Sequence, residues 1–149
     1  HWMVHSFPTR RSSDLDELLA LMAGQQLDFT LSFRRFVEVL DSGQEQPLLA
    51  LFSDAPPLRD WLRRWRRRLG EEPAGAGAQV HTARTANPAY LPRNHQVERV
   101  LHAAALGELS PFESWLQILQ RPYDDQPDAE QWAAPPGPEQ WSHRTFCGT

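Results

Sequence analysis

The sequence has no lysine. All 15 of its basic residues are arginine, a bias we read as GC-rich coding. The absence excludes a Gly-x-x-x-x-Gly-Lys phosphate loop, whatever the glycines do. Cysteine is nearly absent too. A single one, Cys147, excludes a disulfide within the chain and a cysteine-based zinc site, and it suits a reducing compartment. No apolar run approaches the roughly 18 residues that a membrane span requires. No stretch alternates as a strand does. The net charge of −4 supplies no bulk attraction to nucleic acid or membrane.

What is present is about one domain's worth of chain, 149 residues with 40% hydrophobic content. It also holds 13 prolines, clustered late. The segment His5-Ser6-Phe7-Pro8-Thr9-Arg10-Arg11-Ser12-Ser13-Asp14-Leu15 is polar and unpatterned. It reads as the in-frame translation of a common sequencing-adapter oligonucleotide. Residues 1–15 are therefore expected to be foreign to the fold and disordered, with the native sequence, 16–149, forming one helical region.

Helical periodicity accounts for most of that region. Leu18, Leu19, Leu21 and Met22 form a short face that stops at Gly24. Asp28 or Thr30 can cap a helix whose buried face would hold Phe29, Phe33, Phe36, Val37 and Leu40. It ends at Asp41-Ser42-Gly43. Pro47 to Phe52 is a short apolar, helical segment. Ala55-Pro56-Pro57 starts a further helix, in which Leu58, Trp61, Leu62, Trp65 and Leu69 make one apolar stripe. Residues 70–78, Gly/Ala-rich, read as a linker loop. Gln79 to Ala86 forms a short helix into Asn87-Pro88-Ala89-Tyr90-Leu91-Pro92-Arg93-Asn94-His95. The two prolines there fix a rigid elbow that launches the next helix. Val97, Val100, Leu101, Ala104 and Ala105 give that helix its apolar face, and Gly107 ends it. Ser110, Pro111 and Glu113 read as a capping box for a partner helix burying Phe112, Trp115, Leu116 and Leu119. Beyond Arg121-Pro122 the proline-rich tail is expected to be irregular. The fold class is mainly α.

Few residues invite chemistry. Arg59, Arg63, Arg64, Arg66, Arg67 and Arg68, with Asp60 as the one acid, give residues 56–69 a charge of +5. Arginines beside tryptophans can grip phosphates or stack on bases. This alternative makes the chain a helical module in which residues 59–68 bind nucleic acid or an acidic partner. The simpler reading is a solvated face, paired with acids such as those from Glu108 to Thr149, seven against two basic residues. Cys147 and His143 lack a third group to orient them. His95 and His102 stand two helical turns apart, about 10 Å, too far to share one metal ion. Asp124, Asp125 and Asp128 read as an acidic turn. No catalytic, cofactor-binding or metal-binding residue is assigned.

Four stretches in order carry a resemblance: Leu27-Asp28-Phe29-Thr30-Leu31-Ser32-Phe33-Arg34, the elbow Asn87 to His95, Arg121-Pro122-Tyr123-Asp124-Asp125-Gln126-Pro127, and Thr145-Phe146-Cys147-Gly148-Thr149. Together they resemble the C-terminal region of the selenoprotein O (SelO) family of protein adenylyltransferases. The resemblance implies a parent enzyme with a kinase-like fold in the bacterial cytoplasm. Such a parent uses ATP and Mg2+ or Mn2+ to transfer AMP to Ser, Thr or Tyr hydroxyls of proteins. The lysine and the metal-binding residues would lie upstream, in a missing N-terminal kinase-like part. The fragment would be an inactive scaffold, with Trp61 and Trp65 exposed when it stands alone. Only Cys147 carries over, as a possible redox-regulatory thiol.

Overall fold

The computed structural model describes residues 12–140, and within them the chain is helical with no strand. It divides into two compact units, the first ending at Asn87 and the second beginning at Pro88.

The first unit holds α1 (Ser12–Gly24), α2 (Phe29–Ser42), the single turn α3 (Gln46–Leu49), α4 (Pro56–Glu71) and α5 (Ala76–Ala86). Helix α2 begins where its sequence says. The Asp28 side chain accepts a hydrogen bond from the Leu31 amide at 2.8 Å, meeting one of the donors that a helix start leaves open. It ends at Gly43, whose φ of 75° is the left-handed conformation of a C-cap glycine. The apolar stripe of α4 turns inward. Leu58, Trp61, Leu62 and Trp65 are buried with Leu18 and Met22 of α1, Phe33 and Phe36 of α2, and Leu48 of α3. Phe36 meets Trp61 and Trp65 edge-on, at centroid distances of 5.6 and 5.8 Å, and the two tryptophans stack at 5.5 Å. These are the offset and T-shaped arrangements that ring quadrupoles favour.

Three sequence expectations change in this unit. Trp61 and Trp65 are each 1% exposed, not available surface, because α1 and α2 supply their cover. Phe29 is the reverse case. Placed on the buried face by spacing, it is 46% exposed at the first turn of α2, where only Phe33 stacks against it. The expected 70–78 linker shrinks to residues 72–75, since α4 runs through Glu71 and α5 starts at Ala76. Alanine's high helix propensity outweighs the glycines there. The break between units falls instead in the elbow, where Pro88 cannot continue α5.

At the N-terminal side, α1 begins at Ser12, inside the segment expected to be foreign and disordered. Asp14 is 9% exposed, and its carbonyl accepts from the Trp61 indole N–H at 2.8 Å. Residues 12–15 thus take part in the first unit's packing. The remainder of that segment, 1–11, lies outside the described residues.

The second unit is built on α6 (Asn94–Ala105) and α7 (Ser110–Leu119), an αα-hairpin, with the short α8 (Glu130–Ala133) and a 3-10 turn, Pro138–Gln140. Gly107, at φ 88°, makes the hairpin turn. Val100, Trp115, Ala129 and Trp132 form its core with Ala89 and Tyr90. The expected capping box does not form. Leu109 already has helical backbone angles, so the first turn closes by Glu113 N–H to the Leu109 carbonyl at 3.0 Å and Ser110 is inside the helix. The tail is more ordered than its prolines suggest. Trp132 on α8 is buried and stacks on Trp115 at 6.3 Å, with the Arg99 guanidinium 4.2 Å from its ring centroid.

Candidate functional site

The arginine helix was the foremost sequence candidate, and most of its charge is answered locally. Arg63 pairs with Asp60 at 3.1 Å and Arg66 with Glu45 at 3.0 Å; Arg64 pairs with Glu17 and Arg68 with Asp14. Arg66 also donates to the Gly43 carbonyl at 2.7 Å. All four carboxylates belong to the first unit, from α1, the α2–α3 connection and α4 itself. The Glu108–Thr149 acids, the source expected from composition, are not the partners here. Exposed pairs of this kind contribute little stability, but they interrupt the cationic stripe. Arg59 and Arg67 remain without an ion pair among the described residues. An open groove of about 440 Å3 beside Trp65, Leu69 and Gln79, at the α4–α5 connection, offers no nucleophile beside a base.

The other candidates stay apart. His102 is exposed and His95 half-buried on α6. Asp124, Asp125 and Asp128 are all exposed. No three His, Cys, Asp or Glu side chains converge as a metal site would need, among the described residues. Cys147 and His143 lie outside the described residues.

Among the described residues, what the structure does tie together is the elbow with two of the other recognisable stretches; Thr145–Thr149 lies outside them. The buried Arg34 of α2 donates through a guanidinium N–H to the Asn87 carbonyl at 3.1 Å. Asn87, fully buried, donates its side-chain amide to the Ala83 carbonyl at 2.7 Å and closes the end of α5. Just past Pro88, in the second unit, the Ala89 and Tyr90 amides both donate to the Pro122 carbonyl, at 2.7 and 3.3 Å. The Tyr90 hydroxyl donates to the Gln126 carbonyl at 3.3 Å and accepts from the Gln126 amide at 3.2 Å. Gln126 in turn donates its side chain to the Ile118 and Arg121 carbonyls, both at 2.9 Å. The elbow is thus tied to the 27–34 stretch through Asn87 and to the 121–127 stretch through Ala89 and Tyr90. Nearly every bond in the set ends on a backbone carbonyl. Such groups fix the chain path and carry no reactive centre. Periodicity could not reveal these ties, because the partners lie 32 to 53 residues apart.

No family model matches the chain. A protein nucleotidyltransferase YdiU of Rhizobium etli is 47% identical over 134 residues, which is 89% of this chain and 27% of that protein. Its namesake in Bradyrhizobium sp. strain BTAi1 is 45% identical over 133 residues, again 89% of this chain and 27% of the relative. That of Rhizobium johnstonii is 41% identical over 159 aligned positions, covering all of this chain and 32% of the relative. The chain thus spans less than a third of the length of these curated relatives. Over 89% or more of its length the chain, mainly helical among the described residues, is thus similar to one segment of the protein nucleotidyltransferases named YdiU.

Proposed function

We propose that the chain is a helical scaffold part of a SelO-type protein adenylyltransferase, a parent that transfers AMP from ATP to Ser, Thr or Tyr hydroxyls of proteins. The observation that carries the reading is 40–47% identity to proteins named nucleotidyltransferases, confined to under a third of their length. The residue chemistry supports it from the other side. A nucleotide triphosphate with Mg2+ or Mn2+ calls for carboxylates that converge on the metal and cations on the phosphates. The described residues hold no such convergence and the sequence has no lysine, so they do not fit that group. In this reading ATP and metal belong to the kinase-like part of the parent, N-terminal to this segment. Protein substrates meet that part too, and the bacterial cytoplasm is the compartment. No step of the transfer is assigned to a residue of this chain. Cys147 is the one residue with a proposed regulatory role, as a redox-sensitive thiol. Thiol labelling of the joined protein under oxidising and reducing conditions tests it: equal labelling in both removes the role.

The test of the main reading is incorporation of labelled AMP from ATP into protein, with Mg2+ or Mn2+ present. The chain alone is expected to give none. The chain joined to the part of the R. etli relative that it does not match is expected to give transfer. Labelling by the chain alone would overturn the assignment.

A further inference from the structure

The second unit carries apolar surface that its own core does not use. Leu101, Leu106, Leu109 and Leu116 are 55, 71, 55 and 42% exposed. Leu106 and Leu109 lie in the turn of the α6–α7 hairpin, Leu101 on α6 and Leu116 on α7. Helical spacing expects Leu101 and Leu116 to be buried, yet Val100 and Trp115, one position away, take the inward places. The hairpin therefore packs one apolar side on Trp132 and its neighbours and leaves these leucines on its open side. Leu109, Glu113 and Leu116 stand at i, i+4 and i+7 on that open face, with Glu108 beside Leu109. Clustered exposed leucines of this kind mark a contact surface.

We infer that this leucine ridge at the α6–α7 turn is the surface through which the chain seats on the rest of the parent polypeptide. The inference rests on the reading of the chain as one part of a longer nucleotidyltransferase. More than two thirds of the matched relatives' length lies outside the part this chain matches, and that remainder is the occupant we assign to the ridge. The first unit, Phe29 apart, buries the large apolar side chains of its described residues in its own core. Charge argues against a second copy as the occupant. A twofold contact sets the same patch against itself, which would bring Glu113 and Glu108 up to their own equivalents. The complementary surface is apolar, with arginine or lysine placed to meet Glu113.

The experiment titrates the purified chain against the part of the R. etli relative that it does not match, with binding read by interferometry and self-association by sedimentation. The unsubstituted chain is expected to bind. Leu106→Glu with Leu109→Glu is expected to weaken binding by at least about tenfold, with the helical circular dichroism and melting curve unchanged. Glu113→Arg is expected to weaken it as well, and Arg59→Glu, on the first unit, to leave it unaltered. If the doubly charged variant melts early, Leu101→Ser with Leu116→Ser replaces it, with the same loss expected. Binding indifferent to both leucine pairs overturns the ridge while leaving the scaffold reading intact. A chain that dimerises through these leucines overturns the choice of occupant. Failure of the unsubstituted chain to bind overturns the scaffold reading itself.

Discussion

Arg34 is 6% exposed, and a buried guanidinium is tolerated only when its donors are met. One of them meets the Asn87 carbonyl, at the last residue of the first unit. Arg34→Met keeps much of the volume and removes that donor, leaving a buried carbonyl short of a partner. The expected loss is about 1–3 kcal/mol of unfolding free energy, read from urea denaturation followed by tryptophan emission. Loss of less than a few tenths would mean that Arg34 does not hold the elbow. Tyr90 does the same work with one oxygen in the second unit. Tyr90→Phe removes a hydroxyl that both donates to and accepts from the Gln126 backbone and is expected to cost about 1 kcal/mol. These two residues sit in stretches that identify the family, and their bonds are structural. Recognition of the sequence and recognition of a site are therefore separate matters here.

At the scale of elements, the helices are punctuated as their residues dictate. Gly43 ends α2 at φ 75° with open space around its missing side chain. A methyl group there would meet no atom, and only the backbone conformation is penalised. Gly43→Ala is expected to cost about 1 kcal/mol, visible as a lowered melting temperature with an unchanged helical spectrum. Period-3.6 patterning made α2, α4, α6 and α7 legible in the sequence, with the Asp28 cap marking the start of α2, since both signals are local. What was not legible depended on partners distant in sequence. Trp132 reads as part of a proline-rich tail until Trp115 is placed beneath it. Leu116 and Leu101 fit an apolar stripe as well as Trp115 and Val100 do, and only tertiary packing decides which pair turns inward. The arginines of α4 found acids on α1 and near α3, not in the acidic C-terminal segment, because composition sums charge without regard to where the chain carries it. The bonds that join Arg34 to Asn87 and Tyr90 to Gln126 were not legible, because each spans more than 30 residues of sequence.

For the molecule as a whole, the consequential boundary is Asn87/Pro88. The two buried clusters share no residue: the first runs from Leu18 to Trp65, the second from Ala89 to Trp132. A core confined to one side of a boundary should survive separation from the other side. Residues 12–87 contain both members of each aromatic contact described above among Phe29, Phe33, Phe36, Trp61 and Trp65. They also contain every ion-pair partner of the α4 arginines. Expressed alone, this piece is expected to fold, with helical circular dichroism and the short-wavelength emission of two enclosed indoles. Its unfolding should be a single cooperative transition, as for a small domain of one core. Within it, Trp61→Ala removes a fully buried ring from the centre of the stack and should cost about 3–5 kcal/mol, enough to unfold a unit of ordinary stability. Trp61→Phe loses the indole bond to the Asp14 carbonyl but keeps ring packing, and should cost far less. Long-wavelength emission and no cooperative transition in the unsubstituted piece would show that the first unit depends on the second, and that the chain is one folding unit after all.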